Sequence, residues 1–106
     1  MADAAVYMLN ALWFKADGGA KKYEQYLAGA SPVVERLGGK LMNQLKPVDA
    51  LQGDFDPDLT FIIRWPSIEA FRALIADSEY QAIAHLRGEA TERAVLTRCE
   101  AVEPAS

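Results

Sequence analysis

The nine residues Val6-Tyr7-Met8-Leu9-Asn10-Ala11-Leu12-Trp13-Phe14 constrain the fold more than any other stretch of this chain. All but Asn10 are apolar or aromatic. The run is too short to span a membrane and reads as a strand buried on both faces, at the centre of a sheet. The helices of one small domain cover only one face of such a sheet. Apolar residues on the other face call for a second cover, and another copy of the chain is the natural one, so a homodimer is the expected assembly.

The remainder of the chain supplies the rest of that sheet and its helices. Gly18-Gly19 precede an amphipathic helix that runs to about residue 37, with Tyr23, Leu27, Ala30, Val34 and Leu37 on one stripe. Pro32 lies inside it and predicts a kink near Gly29 rather than two helices. Gly38-Gly39 close the helix with a left-handed cap, and residues 40–48 follow as a strand whose Pro47 marks it as an edge. Leu59-Thr60-Phe61-Ile62-Ile63-Arg64-Trp65, β-branched and aromatic, predicts the second central strand. Ser67 caps a helix with Phe71, Leu74 and Ile75 on its stripe. Ser78 caps another, spaced by Tyr80, Ile83, Leu86 and Arg87 and closed by Gly88. Residues 94–102 alternate as a last strand, and residues 103–106 read as a frayed end.

Strand, helix, strand, strand, helix, strand is the order of a ferredoxin-like α+β fold, βαββαβ, with a four-stranded antiparallel sheet and helices on one face. At 106 residues the chain is one domain, 1–106, with an ordered core over about residues 5–102. A net charge of −4 and the lack of a basic patch argue against nucleic acid as a partner. No stretch is long and apolar enough for a membrane span. No basic start leads into an apolar stretch and cleavage site, so the cytoplasm is the expected compartment. Cys99, the sole cysteine, reads as a plain buried or half-buried thiol.

Several stretches together resemble a known family. They are Tyr7-Met8-Leu9-Asn10-Ala11, Tyr23 and Tyr26 with Pro32, Gly38-Gly39, Leu51-Gln52-Gly53-Asp54-Phe55-Asp56-Pro57, Trp65-Pro66-Ser67, and Ser78-Glu79-Tyr80-Gln81 followed by Arg87. The chain resembles the domain-of-unknown-function family thirteen-thirty, within the dimeric α+β barrel superfamily. That resemblance implies a homodimer of two face-to-face sheets, paired as a dimeric α+β barrel with the helices outside. The superfamily holds cofactor-free monooxygenases, isomerases and haem proteins, so fold decides no chemistry.

No nucleophile triad, Cys-His pair or glycine-rich phosphate loop is present. The run Asp54-Phe55-Asp56-Pro57-Asp58 has the look of a calcium loop. Leu59 and Trp65 stand where such a loop needs glycine and a distal glutamate, so it reads as an aspartate-rich turn, with no metal and no cofactor expected. Three candidate catalytic residues remain: His85, the one histidine and so the only side chain of a type whose reference pKa lies near neutrality, Asn10, an amide inside an apolar strand, and Arg64 on the other central strand. If Asn10 and Arg64 project to one face they bind an anion or carbonyl; if Arg64 pairs elsewhere its role is structural. Asn10, Tyr26, Arg64, Trp65 and Tyr80 are the candidate ligand-binding residues between sheet and helices. Arg87 and Glu79 read as local organisers of the second helix rather than ligand contacts. The expectation is a protein that binds a small organic molecule. The alternatives are a cofactor-independent monooxygenase, isomerase or lyase, and a packed interaction module without a ligand.

Overall fold

The computed structural model describes residues 5–102. Strand β1 (Val6–Phe14) and helix α1 (Gly19–Arg36) are followed by β2 (Lys40–Leu45) and β3 (Leu59–Trp65). Three short helices, α2 (Ile68–Ala76), α3 (Ser78–Ile83) and α4 (His85–Ala90), then lead into β4 (Thr91–Cys99). The strands form one antiparallel sheet in the order β2-β3-β1-β4, which places the two most apolar strands in the middle. Closure into an α+β barrel, implied by the resemblance, is corrected by this order: the sheet is open, with β2 and β4 as its two unjoined edges.

The pleat sends alternate residues of β1 to opposite faces. Val6, Met8, Asn10 and Leu12 are buried beneath the helices with Phe61 and Trp65 of β3, against Tyr23, Tyr26, Ala30 and Val33 of α1. Tyr7, Leu9 and Trp13 share the other face with Ile62 and Arg64. Burial of β1 on both faces does not hold within one chain, since Leu9 is 38% exposed.

Trp65 anchors the helix layer. Its ring meets Phe71 edge-on at 5.9 Å and lies over Gly39, where a side chain has no room. A Cβ at Gly39 would come within 2.6 Å of Val34 Cγ1 and 3.0 Å of the Trp65 ring. Gly39→Ala is therefore expected to cost about 1–3 kcal/mol, read as a lower urea midpoint. The preceding Gly38 has φ +96°, and the Gly39 N–H donates to Val34 O at 2.8 Å, so the glycine pair does end α1 with a left-handed cap. Helix α1 passes through Pro32 as one element.

Four boundaries differ from the sequence reading. Strand β2 stops at Leu45, because its register with β3 shifts after Met42 and Asn43 takes a φ of +38°, so Pro47 falls beyond the strand. Strand β4 is displaced toward the N-terminus and pairs from Thr91, opposite Phe14, to Cys99, opposite Tyr7. Gly88 lies inside α4. The cap of α3 is Asp77 rather than Ser78: its Oδ1 accepts from the Glu79 and Tyr80 N–H groups at 2.9 and 3.1 Å. The frayed end expected over residues 103–106 lies outside the described residues.

Asp77 also accepts from Arg36 Nη2 at 2.8 Å, and this hydrogen bond, with the backbone N–H of Tyr80, holds its carboxyl below the usual range. A lowered folded pKa means that the stabilisation is complete above the unfolded aspartate value of about 3.9 and fades as the pH falls through the folded value. Stability is expected to drop on acidification below that point, and Asp77→Asn, which keeps a capping oxygen without the charge, flattens this part of the curve in urea titrations at stepped pH.

The aspartate-rich turn has a structural job. Asp56 Oδ1 accepts from Trp13 Nε1 at 3.0 Å, Asp58 Oδ2 accepts from the Phe14 N–H at 2.7 Å, and the Asp58 N–H returns a bond to Leu12 O at 2.8 Å. Phe55 packs edge-on against Trp13, and the Arg93 guanidinium sits 4.3 Å above the same ring. The turn is thus pinned to the end of β1. Among the described residues no three His, Cys, Asp or Glu side chains gather where they could hold a metal ion.

Candidate functional site

Asn10 sits at the middle of β1 on the helix-facing side, 5% exposed. A buried amide must satisfy its donors and acceptor. Its Nδ2 donates to Met8 O at 3.1 Å, and its Oδ1 accepts from Arg87 Nη2 at 3.0 Å. That second bond crosses from sheet to helix layer and joins residues 77 positions apart. Arg87 belongs to α4, whose end is fastened by Thr91 Oγ1 donating to Arg87 O at 3.0 Å.

Three tyrosines complete the polar cluster. The hydroxyls of Tyr26 on α1 and Tyr80 on α3 share a buried hydrogen bond of 2.8 Å, and Tyr23 stacks on Tyr26 with ring centroids 5.3 Å apart. Burial pushes Tyr23 up to about 12, held back by the charge of Arg87 beside it. Burial pushes Tyr26 higher still, reinforced by its bond to Tyr80. Both therefore remain neutral hydroxyls near neutral pH, and the positive charge at the cluster comes from Arg87. Among the described residues no carboxylate forms an ion pair with it.

Two cavities meet at this cluster, of about 340 and 300 Å³, and Asn10, Tyr26 and Arg87 line both. The larger runs between α1 and the β2 side of the sheet, with exposed Ser31, Glu35, Lys40 and Gln44 along it. The smaller runs under α2 and α3, walled by Met8, Trp65, Phe71, Leu74, Ile75 and Leu96.

Of the residues singled out in the sequence, the structure brings together Asn10, Tyr26, Tyr80 and Trp65, and it leaves two elsewhere. Arg64 is paired in register with Tyr7 on the opposite face of the sheet, its guanidinium 5.9 Å from that ring, so it and Asn10 project to different faces. His85 lies on the outer side of α4, its side chain 59% exposed, with Nδ1 2.6 Å from Glu89 Oε2. Glu89 also takes Lys22 Nζ at 3.2 Å, so His85 belongs to a surface charge cluster. Arg87, read from the sequence as a local organiser of its helix, instead supplies the cation of the cluster. One signal did point to it: Arg87 follows Tyr80 by seven residues, two helical turns, which puts it on the stripe of a buried residue.

The domain of unknown function DUF1330 matches residues 7–98. This chain belongs to that family. Two crystal structures of one protein of unknown function from Rhodopseudomonas palustris are similar to it at 31% identity. That of the methylated protein gives a TM-score of 0.90 over 99% of this chain and 86% of the other; the second gives 0.86 over 97% and 86%. A dimeric ferredoxin-like protein of unknown function from Jannaschia sp. CCS1 shares the fold at 14% identity, with a TM-score of 0.76 over 92% of this chain and 99% of that one. SnoaB, a cofactor-independent oxygenase from Streptomyces nogalater, does so at 18% identity, with a TM-score of 0.68 over 97% of each chain. No curated protein matches this DUF1330 member in sequence. No helix among the described residues is long and apolar enough to cross a membrane.

Proposed function

We propose that this DUF1330 protein binds a small organic molecule bearing an anionic or carbonyl oxygen, held between sheet and helices with Arg87 as the anchor. The observation that carries this is a half-buried guanidinium, free of any carboxylate among the described residues, fixed by buried Asn10 at the wall between two cavities. Of the five N–H donors on Arg87, one is engaged by Asn10 and another is directed at the Tyr23 hydroxyl, which leaves the rest of the fork for a ligand. The Tyr26–Tyr80 pair keeps one hydroxyl proton in its own bond and has a second to offer. These donors would converge on an oxygen entering either cavity.

The enzyme alternative loses support at its expected base. His85 lies outside the cavities, against Glu89, which favours binding over proton transfer as the reading. SnoaB shows that the fold can host an oxygenase, and fold is all that is shared at this identity.

The assembly proposed is a homodimer through the open face of the sheet. Tyr7, Leu9, Trp13 and Ile62 lie there on the central strands, and the Jannaschia protein of the same fold is dimeric. Native mass spectrometry on gently purified protein tests both parts. The expected spectrum shows a doubled mass carrying a small extra component, and Arg87→Gln loses that component while remaining paired. A bare monomer would overturn the assembly, and an extra component retained by Arg87→Gln would overturn the anchor.

A further inference from the structure

We infer that the ligand is a small monocarboxylic acid with an apolar body, its carboxylate on Arg87 and its body in the smaller cavity. This rests on the reading of Arg87 as an anion anchor and goes further, by naming the class of molecule and its direction. The two cavities differ in where their polar groups stand. In the smaller one the polar side chains are Asn10, Tyr26, Tyr80 and Arg87. Three of these form the wall shared with the larger cavity, and Tyr80 is tied to that wall through its 2.8 Å bond to Tyr26. The other residues lining that space carry no charge and no side-chain oxygen: they are aliphatic, aromatic, thioether or glycine, from Met8 and Trp65 through Phe71 and Leu74 to Ile75 and Leu96. The smaller cavity is therefore polar at one end and apolar along the rest.

That asymmetry selects a charge and a shape. A single guanidinium balances one carboxylate. A second anionic group carried into the apolar part would give up part of its hydration and meet no cation to pair with there, which is costly. The larger cavity has apolar walls too, from Leu27, Val34, Phe61 and Ile63, but Ser31, Glu35, Lys40 and Gln44 also line it, so a body lying there shares its space with charged and polar side chains that the smaller cavity lacks. A volume of about 300 Å³ lies at the low end for ligand pockets, which suits a single ring or a short chain. Trp65 forms part of the apolar wall and gives an optical report on what enters.

Titration calorimetry with three probes tests this: hydrocinnamate, hydrocinnamyl alcohol and propionate, added to the full chain and to two variants. Ala84→Leu narrows the smaller cavity, which Ala84 lines, and Ser31→Leu narrows the larger one. Hydrocinnamate is expected to bind at least about tenfold tighter than either other probe, and to weaken about tenfold in Ala84→Leu with no change in Ser31→Leu. Ala84→Val replaces the leucine variant if circular dichroism shows that it does not fold. Propionate binding as tightly as hydrocinnamate would overturn the apolar body and leave the anchor standing. Alcohol binding as tightly as acid would overturn the anchor itself. Weakening by Ser31→Leu alone would move the body to the wrong cavity and overturn its direction, and no binding of any probe would overturn the proposed class.

Discussion

Trp65→Ala is expected to remove about 3–5 kcal/mol of stability, a large part of the about 5–15 kcal/mol margin of a small domain. Trp65 is 1% exposed at the end of β3, packs edge-on against Phe71, and closes over Gly39 where α1 gives way to β2. Removing the indole leaves a void between sheet and helices that backbone on both sides prevents from collapsing, so the cavity cost adds to the lost transfer energy. Urea unfolding followed by the fluorescence of the remaining Trp13 is the measurement. Leu51→Ala, at a side chain 93% exposed, serves as the control and is expected to stay within about 0.5 kcal/mol. Comparable losses in the two variants would contradict the packing described for β3.

The second large effect concerns binding. Arg87→Gln keeps an amide able to reach toward Asn10 while removing the charge, so a charge-assisted bond becomes a neutral one. A hydrogen bond to a charged group contributes about 1.5–3 kcal/mol, which predicts a loss of roughly tenfold to a hundredfold in affinity for a small organic acid. Stability is expected to change far less, because the guanidinium is only half-buried and Asn10 retains its bond to Met8 O. An unchanged affinity in a folded Arg87→Gln variant would contradict the role given to this residue.

The central strands were legible because their composition matches their position. Val6–Phe14 and Leu59–Trp65 are apolar enough to need the middle of a sheet, and the structure places them there with these bounds. The edges were less so. Alternation through residues 94–102 continues past the point where pairing with β1 ends, and only the register opposite Tyr7 fixes Cys99 as the last residue of β4. At residues 77 and 78 the sequence offers two adjacent capping side chains, and geometry decides for Asp77.

Asn10 could be suspected of a site from its strand alone, as an amide that had to find partners. Its partner Arg87 comes from a helix 77 residues later, and no local pattern states that distance in space. The face on which Arg64 projects depends on strand register, which the sequence does not carry. Arg87, exchanged for Arg64 as the cation beside Asn10, is therefore the main revision that tertiary structure makes to the sequence reading.

The most direct test of the account is to locate a bound acid. Crystals of the full chain soaked in para-iodobenzoate give an anomalous iodine signal that marks the ring without reference to any model of the pocket. The account predicts a peak between sheet and helices, beside Met8, Trp65 and Leu74, with the carboxylate within hydrogen-bond reach of Arg87. Iodine confined to the open face of the sheet, around Leu9 and Ile62, would contradict it.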